Sequence, residues 1–292
     1  MHEGQWDLDV GTVGRIVADR YPAWAGLPVR PVASSGTVNA LFRLGDEVVL
    51  RFPLAPDPEP SAVERIRAAQ AVVGRLAPTV DVALPELLAV AGPHRAYPGW
   101  SSGYRWLPGD PVDPDAVPTA LAEDLARFVR ALQALPLEGR RWEGRWRGGP
   151  LAAVDTDVRA ALAASAALVD VGPLEAVWAD ALGAPGPRAG TWIHSDLMPG
   201  NLLVRTGRLT AVLDCEDLAV GDPAVDLMPA WNLLSGAGRA RFRSAVGPDE
   251  AAWRRGRGWA LGQAILAVPY YVDTNPHMAD TARRTLAALG TS

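Results

Sequence analysis

The chain has 292 residues, 49% of them hydrophobic and 21% charged, so it can form one large domain or two lobes and is not disordered. Its net charge of -5 provides no basic footprint for nucleic acid or an anionic membrane, and favours a neutral or cationic small molecule. The single cysteine, Cys215, excludes an internal disulfide and a cysteine-based zinc site.

Two further absences narrow the class of protein. All 28 basic residues are arginine, and P-loop and pyridoxal-phosphate enzymes both need a lysine, so these two classes are excluded. The opening MHEGQWDLDV lacks the basic and apolar regions of a signal peptide, and no apolar run reaches the roughly 18 residues of a membrane span. We therefore expect a cytoplasmic protein with no membrane partner and no nucleic-acid partner.

The first third of the chain is predicted to form a small antiparallel sheet. Runs of apolar and β-branched residues, separated by turn residues, follow an opening helix over 7–20. Gly45-Asp46 between the second and third runs is a hairpin signal. We expect a meander with its strands at 29–33, 38–44, 47–52, 86–92 and 103–107.

One helix interrupts this predicted sheet between its third and fourth strands, over residues 58–76. Ser61 and Glu64 have the spacing of a capping box, in which each side chain bonds the backbone of the other residue at the start of a helix. The sequence therefore predicts that this box begins the helix.

Helical patterning dominates after a proline- and glycine-rich segment at 108–118, which is typical of a linker. A short hairpin at 202–214 is the exception. The predicted helices cover 121–132, 155–168, 173–182, 224–235, 239–246, 250–268 and 277–289. We therefore expect a nucleotide-binding lobe over 1–107 and a catalytic, substrate-binding lobe over 108–292.

The segment HSDLMPGNLLVRTGRLTAVLD joins a polar loop to this hairpin. A turn at Thr206-Gly207 brings Asn201, before the first strand, and Asp214, after the second, to one end beside Asp196. Two carboxylates and an amide oxygen suit Mg²⁺ and do not suit zinc. The spacing matches the phosphoryl-transfer template, in which one Asp accepts the substrate hydroxyl proton while Asn and a second Asp hold the metal.

The stretch WIHSDLMPGNLLVRTGRLTAVLDCEDLAVGDPAVDLMPAW, residues 192–231, resembles the core of the aminoglycoside phosphotransferase family. The likeness continues in SSGTVNALFRLGDEVVLRFP, SSGYRWLPGD and VPYYVDTNP. It implies an α+β, bilobal protein-kinase-like fold with a small antiparallel β-rich N-lobe and a larger, mainly helical C-lobe. It also implies ATP (or GTP) and Mg²⁺ as cofactors, and phosphorylation of a hydroxyl on a small molecule, an aminoglycoside- or macrolide-type antibiotic.

The resemblance assigns roles to residues of the hairpin segment. Asp196 is expected to be the catalytic base, and His194 to brace the catalytic loop. Asn201 and Asp214 are expected to bind Mg²⁺. Asp222, in GDPAVDL, is expected to support the loop from behind.

The N-terminal matches imply the nucleotide contacts. Arg51 in VVLRF is expected to grip the α- and β-phosphates. The remaining contacts are two short segments, one over the phosphates and one presenting backbone groups to adenine. These segments are Ser35, Gly36 and Thr37, and Tyr104, Arg105, Trp106 and Leu107.

The sequence departs from the family pattern at four points. Ser195 stands where the family has glycine, and Cys215-Glu216 stands where many relatives have an aromatic residue and glycine. Arg51 replaces the phosphate-binding lysine, and arginine differs in reach and geometry. The helix acid that orients this cation aligns with Ala69, which leaves Glu64 as the nearest substitute.

Alternatives to this hypothesis concern the acceptor and the activity. Residues 209–292 contain nine acids and eight arginines, so there is no strong acidic surplus for a polycationic aminoglycoside, and macrolides, choline or homoserine stay open. The missing lysine also allows a catalytically quiet nucleotide-binding homologue, and His194 with Asp196 and Asp214 allows a metal-dependent hydrolase. The sequence carries no signal for an oligomeric state. Candidates for the wall of an acceptor pocket are Asp217, Asp226, Asp273, Trp231 and Trp259.

Overall fold

A five-stranded antiparallel sheet forms the N-terminal part of the chain in the computed structural model, which describes residues 6–33, 36, 38–142 and 147–290. Its strands are β1 (Val29–Pro31), β2 (Asn39–Leu44), β3 (Val48–Pro53), β4 (Leu87–Ala91) and β5 (Ser101–Arg105). The order across the sheet is β1-β2-β3-β5-β4. The predicted meander is therefore wrong, because the chain passes over the place of β5, forms β4 at the edge, and then returns beside β3.

The β2–β3 hairpin shows how alternation sorts the two faces of this sheet. Gly45 adopts a positive φ of 55° in the connecting turn, as the hairpin signal predicted. Leu50 and Phe52 are fully buried in the core. Val49 and Arg51, on the other face, line a cavity between this sheet and the C-terminal helices. The period of two therefore puts a cation of β3 on the cavity side.

Two helices accompany the sheet, α1 (Val10–Arg20) and α2 (Pro60–Leu76). The predicted capping box at Ser61 and Glu64 is wrong, because α2 already begins at Pro60 and no side chain caps its first turn. Proline at the first helical position has the φ of a helix and lacks the N–H that would need a cap. Ser61 lies inside the first turn, where its hydroxyl instead contacts Arg65 at 3.4 Å.

The C-terminal part is mainly helical, as predicted. Its helices are α3 (Leu121–Gln133), α4 (Asp155–Ser165), α5 (Gly172–Leu182), α6 (Pro229–Asn232), α7 (Gly236–Val246), α8 (Glu250–Tyr271) and α9 (Pro276–Gly290). The single helix predicted over 224–235 is wrong. A 3-10 helix at Pro223–Leu227 is followed by the short α6, which begins at Pro229, a residue that cannot donate a helical hydrogen bond.

Two small sheets lie among these helices. Their strands are β6 (Asp110–Pro111), β7 (Thr191–Ile193), β8 (Leu202–Arg205), β9 (Arg208–Val212) and β10 (Ala219–Gly221). The predicted β8–β9 hairpin is present, and β6 extends it, so the segment at 108–118 is not only a linker. The pairing of β7 with β10 was not predicted, because three-residue strands carry too little periodicity.

Two hydrophobic clusters fill the interior of the described chain. The smaller cluster lies between α1 and the five-stranded sheet. The larger one occupies the C-terminal helices and also takes Val72, Val73 and Leu76 from α2. The predicted lobe boundary at 107/108 stays a prediction. None of the described helices combines the length and the hydropathy that a bilayer crossing requires.

Candidate active site

The β8–β9 hairpin brings two predicted metal ligands side by side. Its two-residue turn has positive φ at Thr206 (50°) and Gly207 (78°), the conformation that matches the twist of paired strands. Beyond the other end of the hairpin, the Leu213 amide donates to the Asn201 carbonyl at 2.8 Å. Asn201 and Asp214 therefore leave the two strands at the same end, as the sequence predicted.

Asp196 faces this end of the hairpin from the preceding loop. The Asn201 side-chain Nδ2 donates to the Asp196 carbonyl at 2.9 Å and to Asp196 Oδ2 at 3.2 Å. Because Nδ2 is committed to Asp196, Oδ1 is the Asn201 side-chain atom that can meet a cation. The structure thus brings together Asp196, Asn201 and Asp214.

His194 connects the loop that carries Asp196 to the β8–β9 hairpin. It is completely buried, its Nε2 donates to the Leu213 carbonyl at 2.8 Å, and its Nδ1 accepts from the Asp196 amide at 3.3 Å. Both ring nitrogens are engaged, so neither is left to bind a metal, and the hydrolase alternative loses its histidine ligand. These two bonds connect the loop to the hairpin, and the bracing role of His194 stays a prediction.

Asp226 supports the loop that carries Asp196, a role that sequence reasoning missed. Its carboxylate accepts the amides of His194 at 2.8 Å and Ser195 at 2.7 Å, and it is fully buried. Burial raises the Asp226 pKa, while His194 and the two amide hydrogen bonds oppose that rise. Asp226 therefore cannot line an acceptor pocket.

Asp222, which was expected to support the loop, has another partner. It caps the 3-10 helix through the Ala224 amide at 3.0 Å and binds the buried Arg255 at 2.6 Å. The two acids are four residues apart in GDPAVDL, and both precede apolar residues. Only the packing of the chain decides which of them meets the loop amides.

Ser195 adopts a left-handed backbone conformation, with φ at 64°. This conformation favours glycine, because a Cβ approaches the following carbonyl oxygen there. Serine in place of the family's glycine therefore has a conformational cost, although its side chain is small.

Arg51 is held by two acids from the C-terminal part of the chain. Its Nη2 donates to Asp214 Oδ1 at 2.8 Å, and its Nη1 lies 3.2 Å from Glu216 Oε1. The Tyr104 hydroxyl donates to the same Glu216 oxygen. Glu216, and not Glu64, the nearest substitute in the sequence, therefore takes the place of the missing helix acid.

Electrostatics separate the two aspartates of the centre. Burial raises the pKa of Asp196, although Arg147 and His194 oppose the shift. Burial acts in the same direction on Asp214, but Arg51 outweighs it and the Asp214 pKa is lowered. Two carboxylates whose environments push their pKa values apart are suited to different tasks, one as a base and the other as a permanent anion.

Arg51, Asp196, Asn201 and Asp214 line one cavity of about 620 Å³ between the five-stranded sheet and the C-terminal helices. The segment predicted to contact adenine, Tyr104 to Leu107, also lines this cavity. Only its first two residues belong to β5, which ends at Arg105. The Arg105 and Trp106 amides already donate to the carbonyls of Glu86 and Glu47, at 3.0 Å and 2.7 Å. The cavity also includes Gly36, whereas Ser35 and Thr37 lie outside the described residues.

A profile of the phosphotransferase enzyme family, known as APH, matches residues 29–259. The match covers most of the chain and includes every residue of the centre described above. The chain belongs to this phosphotransferase family. The resemblance inferred from the catalytic segment is therefore confirmed. No curated protein matches the sequence significantly.

Solved phosphotransferase structures share the fold over nearly the whole chain. The apoenzyme of macrolide 2'-phosphotransferase MphH from Brachybacterium faecium is 25% identical, with a TM-score of 0.60, over 96% of this chain and 97% of that chain. The GDP complex of wild-type aminoglycoside 2'-phosphotransferase-IIIa is 16% identical, with a TM-score of 0.67, over 98% and 99%. The streptomycin–ATP ternary complex of APH(2")-IIa is 15% identical, with a TM-score of 0.59, over 98% and 97%. These likenesses confirm the predicted kinase-like α+β fold.

The far end of the phosphotransferase's cavity lies between α6, α8 and α9. Half of the described lining residues there have apolar side chains, and the other half carry polar groups, none of them an acid or an arginine. The lining at this end consists of Met228, Asn232, Ala260, Gln263, Ala264, Leu266, Ala267, Tyr270, Tyr271, His277, Met278, Thr281, Ala282 and Thr285.

The five residues that were candidates for an acceptor wall are absent from the described lining of the cavity. Asp217 and Asp273 are exposed and lie outside it, and Trp231 and Trp259 are buried in the core. The acids among the described lining residues are Asp196 and Asp214, and each is paired with an arginine. This phosphotransferase therefore has little negative charge to offer an acceptor.

The donor set at the hairpin fits Mg²⁺. Asn201 Oδ1 and the Asp214 carboxylate are two hard oxygen donors at one edge of the cavity. Magnesium is commonly held by one or two carboxylates, completed by substrate phosphates and water. Among the described residues there is no group of three acidic, histidine or cysteine side chains that would suggest a cage made of protein ligands alone.

Proposed function

We propose that this phosphotransferase transfers the γ-phosphoryl group of ATP to a hydroxyl of a small molecule, with Mg²⁺ as cofactor. The convergence of Asp196, Asn201 and Asp214 at the floor of one cavity carries the proposal. Arg51, tied to Asp214 and Glu216, supports it, because a fixed guanidinium can bind phosphate oxygens in two places. A catalytically quiet homologue would not need a base, a metal-binding pair and an anchored cation in one place.

Asp196 acts as the general base of this reaction. Its raised pKa suits the task, because a base near the working pH accepts a proton best. The acceptor hydroxyl gives its proton to Asp196 while its oxygen bonds to the γ-phosphorus. The bond from that phosphorus to the bridging oxygen breaks, and ADP leaves with the electron pair.

The other residues of the centre position the nucleotide. Arg51 contacts the α- and β-phosphates, and the segment from Tyr104 to Leu107 borders the base. Asn201 Oδ1 and the Asp214 carboxylate hold Mg²⁺, which neutralises charge on the phosphates when bound. His194 and Asp226 fix the loop, so that Asp196 does not reorganise during the reaction.

Within the antibiotic classes expected for the acceptor, the cavity favours a large molecule of low charge, such as a macrolide. The described lining of its far end contains no acid, and both acids that line the cavity elsewhere are already paired, so a polycationic aminoglycoside would meet little negative charge. Apolar surface suits the carbon skeleton of a macrolide. The 25% identity to MphH, whose name describes a macrolide 2'-phosphotransferase, agrees with this choice.

Transfer assays with purified protein test the proposal. The protein is incubated with ATP, Mg²⁺ and one acceptor at a time: a macrolide, kanamycin, streptomycin, choline or homoserine. We expect ADP release and the mass gain of one phosphate with the macrolide, and neither with Asp196→Ala. Equal product formation by Asp196→Ala would refute the role of the base, and transfer to kanamycin alone would refute the choice of acceptor.

A further inference from the structure

The catalytic loop of this chain has no cation of its own. Between the base Asp196 and the ligand Asn201 stand only Leu, Met, Pro and Gly. A cation nevertheless reaches the base, because Arg147 Nη1 lies 2.8 Å from Asp196 Oδ1. Arg147 belongs to the segment between α3 and α4, far from the loop in the sequence, and sequence reasoning gave it no role.

Two glycines build this position into the fold. Gly148 has a φ of 78°, and its carbonyl accepts the Asp222 amide at 2.6 Å. A Cβ on Gly148 would overlap the Ile193 side chain, and a Cβ on Gly221 would lie 2.6 Å from that side chain and 2.8 Å from the Gly148 carbonyl oxygen. The backbone next to Arg147 is therefore packed directly against the strands that carry the catalytic loop.

The charge of Arg147 acts on both acids of the centre. Burial raises the pKa of Asp196, and Arg147 is the largest of the influences that oppose this rise. Arg147 also contributes, behind Arg51 and His194, to the lowered pKa of Asp214. Its guanidinium lies beside Asp196 and lines the same cavity as Asp214.

A purely structural salt bridge explains this position less well. Both Asp196 oxygens are occupied, Oδ1 by Arg147 and Oδ2 by Asn201. An acceptor hydroxyl must share or take one of these positions before it can give up its proton. Arg147 also lines the cavity, so those of its N–H donors that do not face Asp196 can reach a group bound there.

We propose that Arg147 is a catalytic residue, which contacts an oxygen of the transferred phosphoryl group while it stays beside Asp196. The inference rests on the proposed phosphotransfer. A guanidinium has five N–H donors in a fixed fork, and Arg147 lines the cavity, so it can reach a carboxylate and a phosphate together. It acts as an arginine finger supplied by the same chain, and neutralises charge on the equatorial oxygens.

Steady-state kinetics of Arg147→Ala, Arg147→Lys and Arg147→Gln test the catalytic role. We expect Arg147→Ala and Arg147→Gln to lower kcat about 10²–10³-fold, with a small change in KM for the acceptor, and Arg147→Lys to recover part of the loss. Arg141→Ala is the matched control, because Arg141 is exposed on the same segment and lies outside the cavity. A kcat within about threefold of wild type for Arg147→Ala, or no advantage of Lys over Gln, overturns the proposal.

A binding measurement decides the point without any acceptor. Calorimetry with Mg²⁺ compares ADP with the β,γ-imido analogue of ATP, which carries a γ-phosphate. Loss of Arg147 should weaken binding of the imido analogue about tenfold and leave ADP nearly unchanged. Equal effects on both ligands, or none on either, overturn the contact. If wild type transfers phosphate to no acceptor, the proposed function fails, while this comparison still decides the role of Arg147.

Discussion

The two sides of the catalytic centre are held in different ways. Asp196 is fixed from within the C-terminal part of the chain. Asn201 and His194 lie close to it in the sequence, whereas Arg147 and Asp226 reach the loop from positions farther away. Arg51, on the nucleotide side, depends on Asp214 at a separation of 163 residues and on Glu216. The Asp196 side therefore keeps its geometry as long as the C-terminal part folds, whereas the Arg51 network exists only when the two parts of the chain are in contact.

Removal of the base Asp196 should have the largest effect on activity, and this effect should be confined to the Asp196 side of the centre. Asp196→Asn keeps the shape of the side chain but removes its proton acceptor, so we expect kcat to fall about 10²–10⁴-fold. Affinity for ATP should stay near wild type, because Arg51 is unchanged. Steady-state rates and calorimetry measure both quantities, with Asp217→Asn, an exposed acid outside the cavity, as control. A kcat within tenfold of wild type would contradict the expectation.

Loss of the loop support should come next. Asp226→Ala leaves the buried amides of His194 and Ser195 without acceptors, and we expect a loss of about 2–5 kcal/mol in stability together with a lower kcat. Asp222→Ala breaks the buried pair with Arg255 and should lower stability by about 3–5 kcal/mol. Its kcat per folded molecule should remain near wild type. Urea unfolding and activity at low temperature separate the two, and equal kcat losses would show that both acids serve the loop.

A smaller change in activity is expected for the Arg51 network, which joins the two parts of the chain. Glu216→Gln removes one of the charges that hold Arg51 and weakens the contact with Tyr104. Hydrogen bonds to charged groups contribute about 1.5–3 kcal/mol, so KM for ATP should rise about tenfold or more, with less effect on kcat. Glu64→Gln is the control and should leave both constants unchanged. If Glu64→Gln raised KM for ATP and Glu216→Gln did not, Glu64 would be the acid that orients Arg51.

The same division explains what could be predicted from the sequence. The hairpin, Asp196, Asn201 and Asp214 follow from a turn signal and a spacing of a few residues, and the family resemblance reinforced them. The partner of Arg51 could not be found in this way, because Glu216 meets it only through packing of the two parts of the chain. The support acid was misplaced for a related reason: Asp222 and Asp226 look alike in sequence, and the loop amides choose between them.

Strand order and helix starts failed on similar grounds. The five strands of the N-terminal sheet were expected close to their observed positions, but periodicity does not state which strands are neighbours, so β5 was not expected beside β3. The start of α2 depended on Pro60, which sets the first turn before Ser61 can cap it. Local chemistry thus located the elements, and tertiary contacts arranged them.

The smallest expected effect concerns Ser195, in the loop that carries Asp196. Its left-handed backbone, with φ at 64°, disfavours any residue with a Cβ, so Ser195→Gly should be more stable than Ser195→Ala by about 1 kcal/mol. The comparison with alanine matters, because both variants lose the hydroxyl and only glycine relieves the Cβ. Since the Ser195 amide is held by Asp226 in either variant, the loop should keep its place and kcat should change little. Urea unfolding of the two variants measures the difference, and equal stabilities would mean that the loop accommodates this conformation without strain.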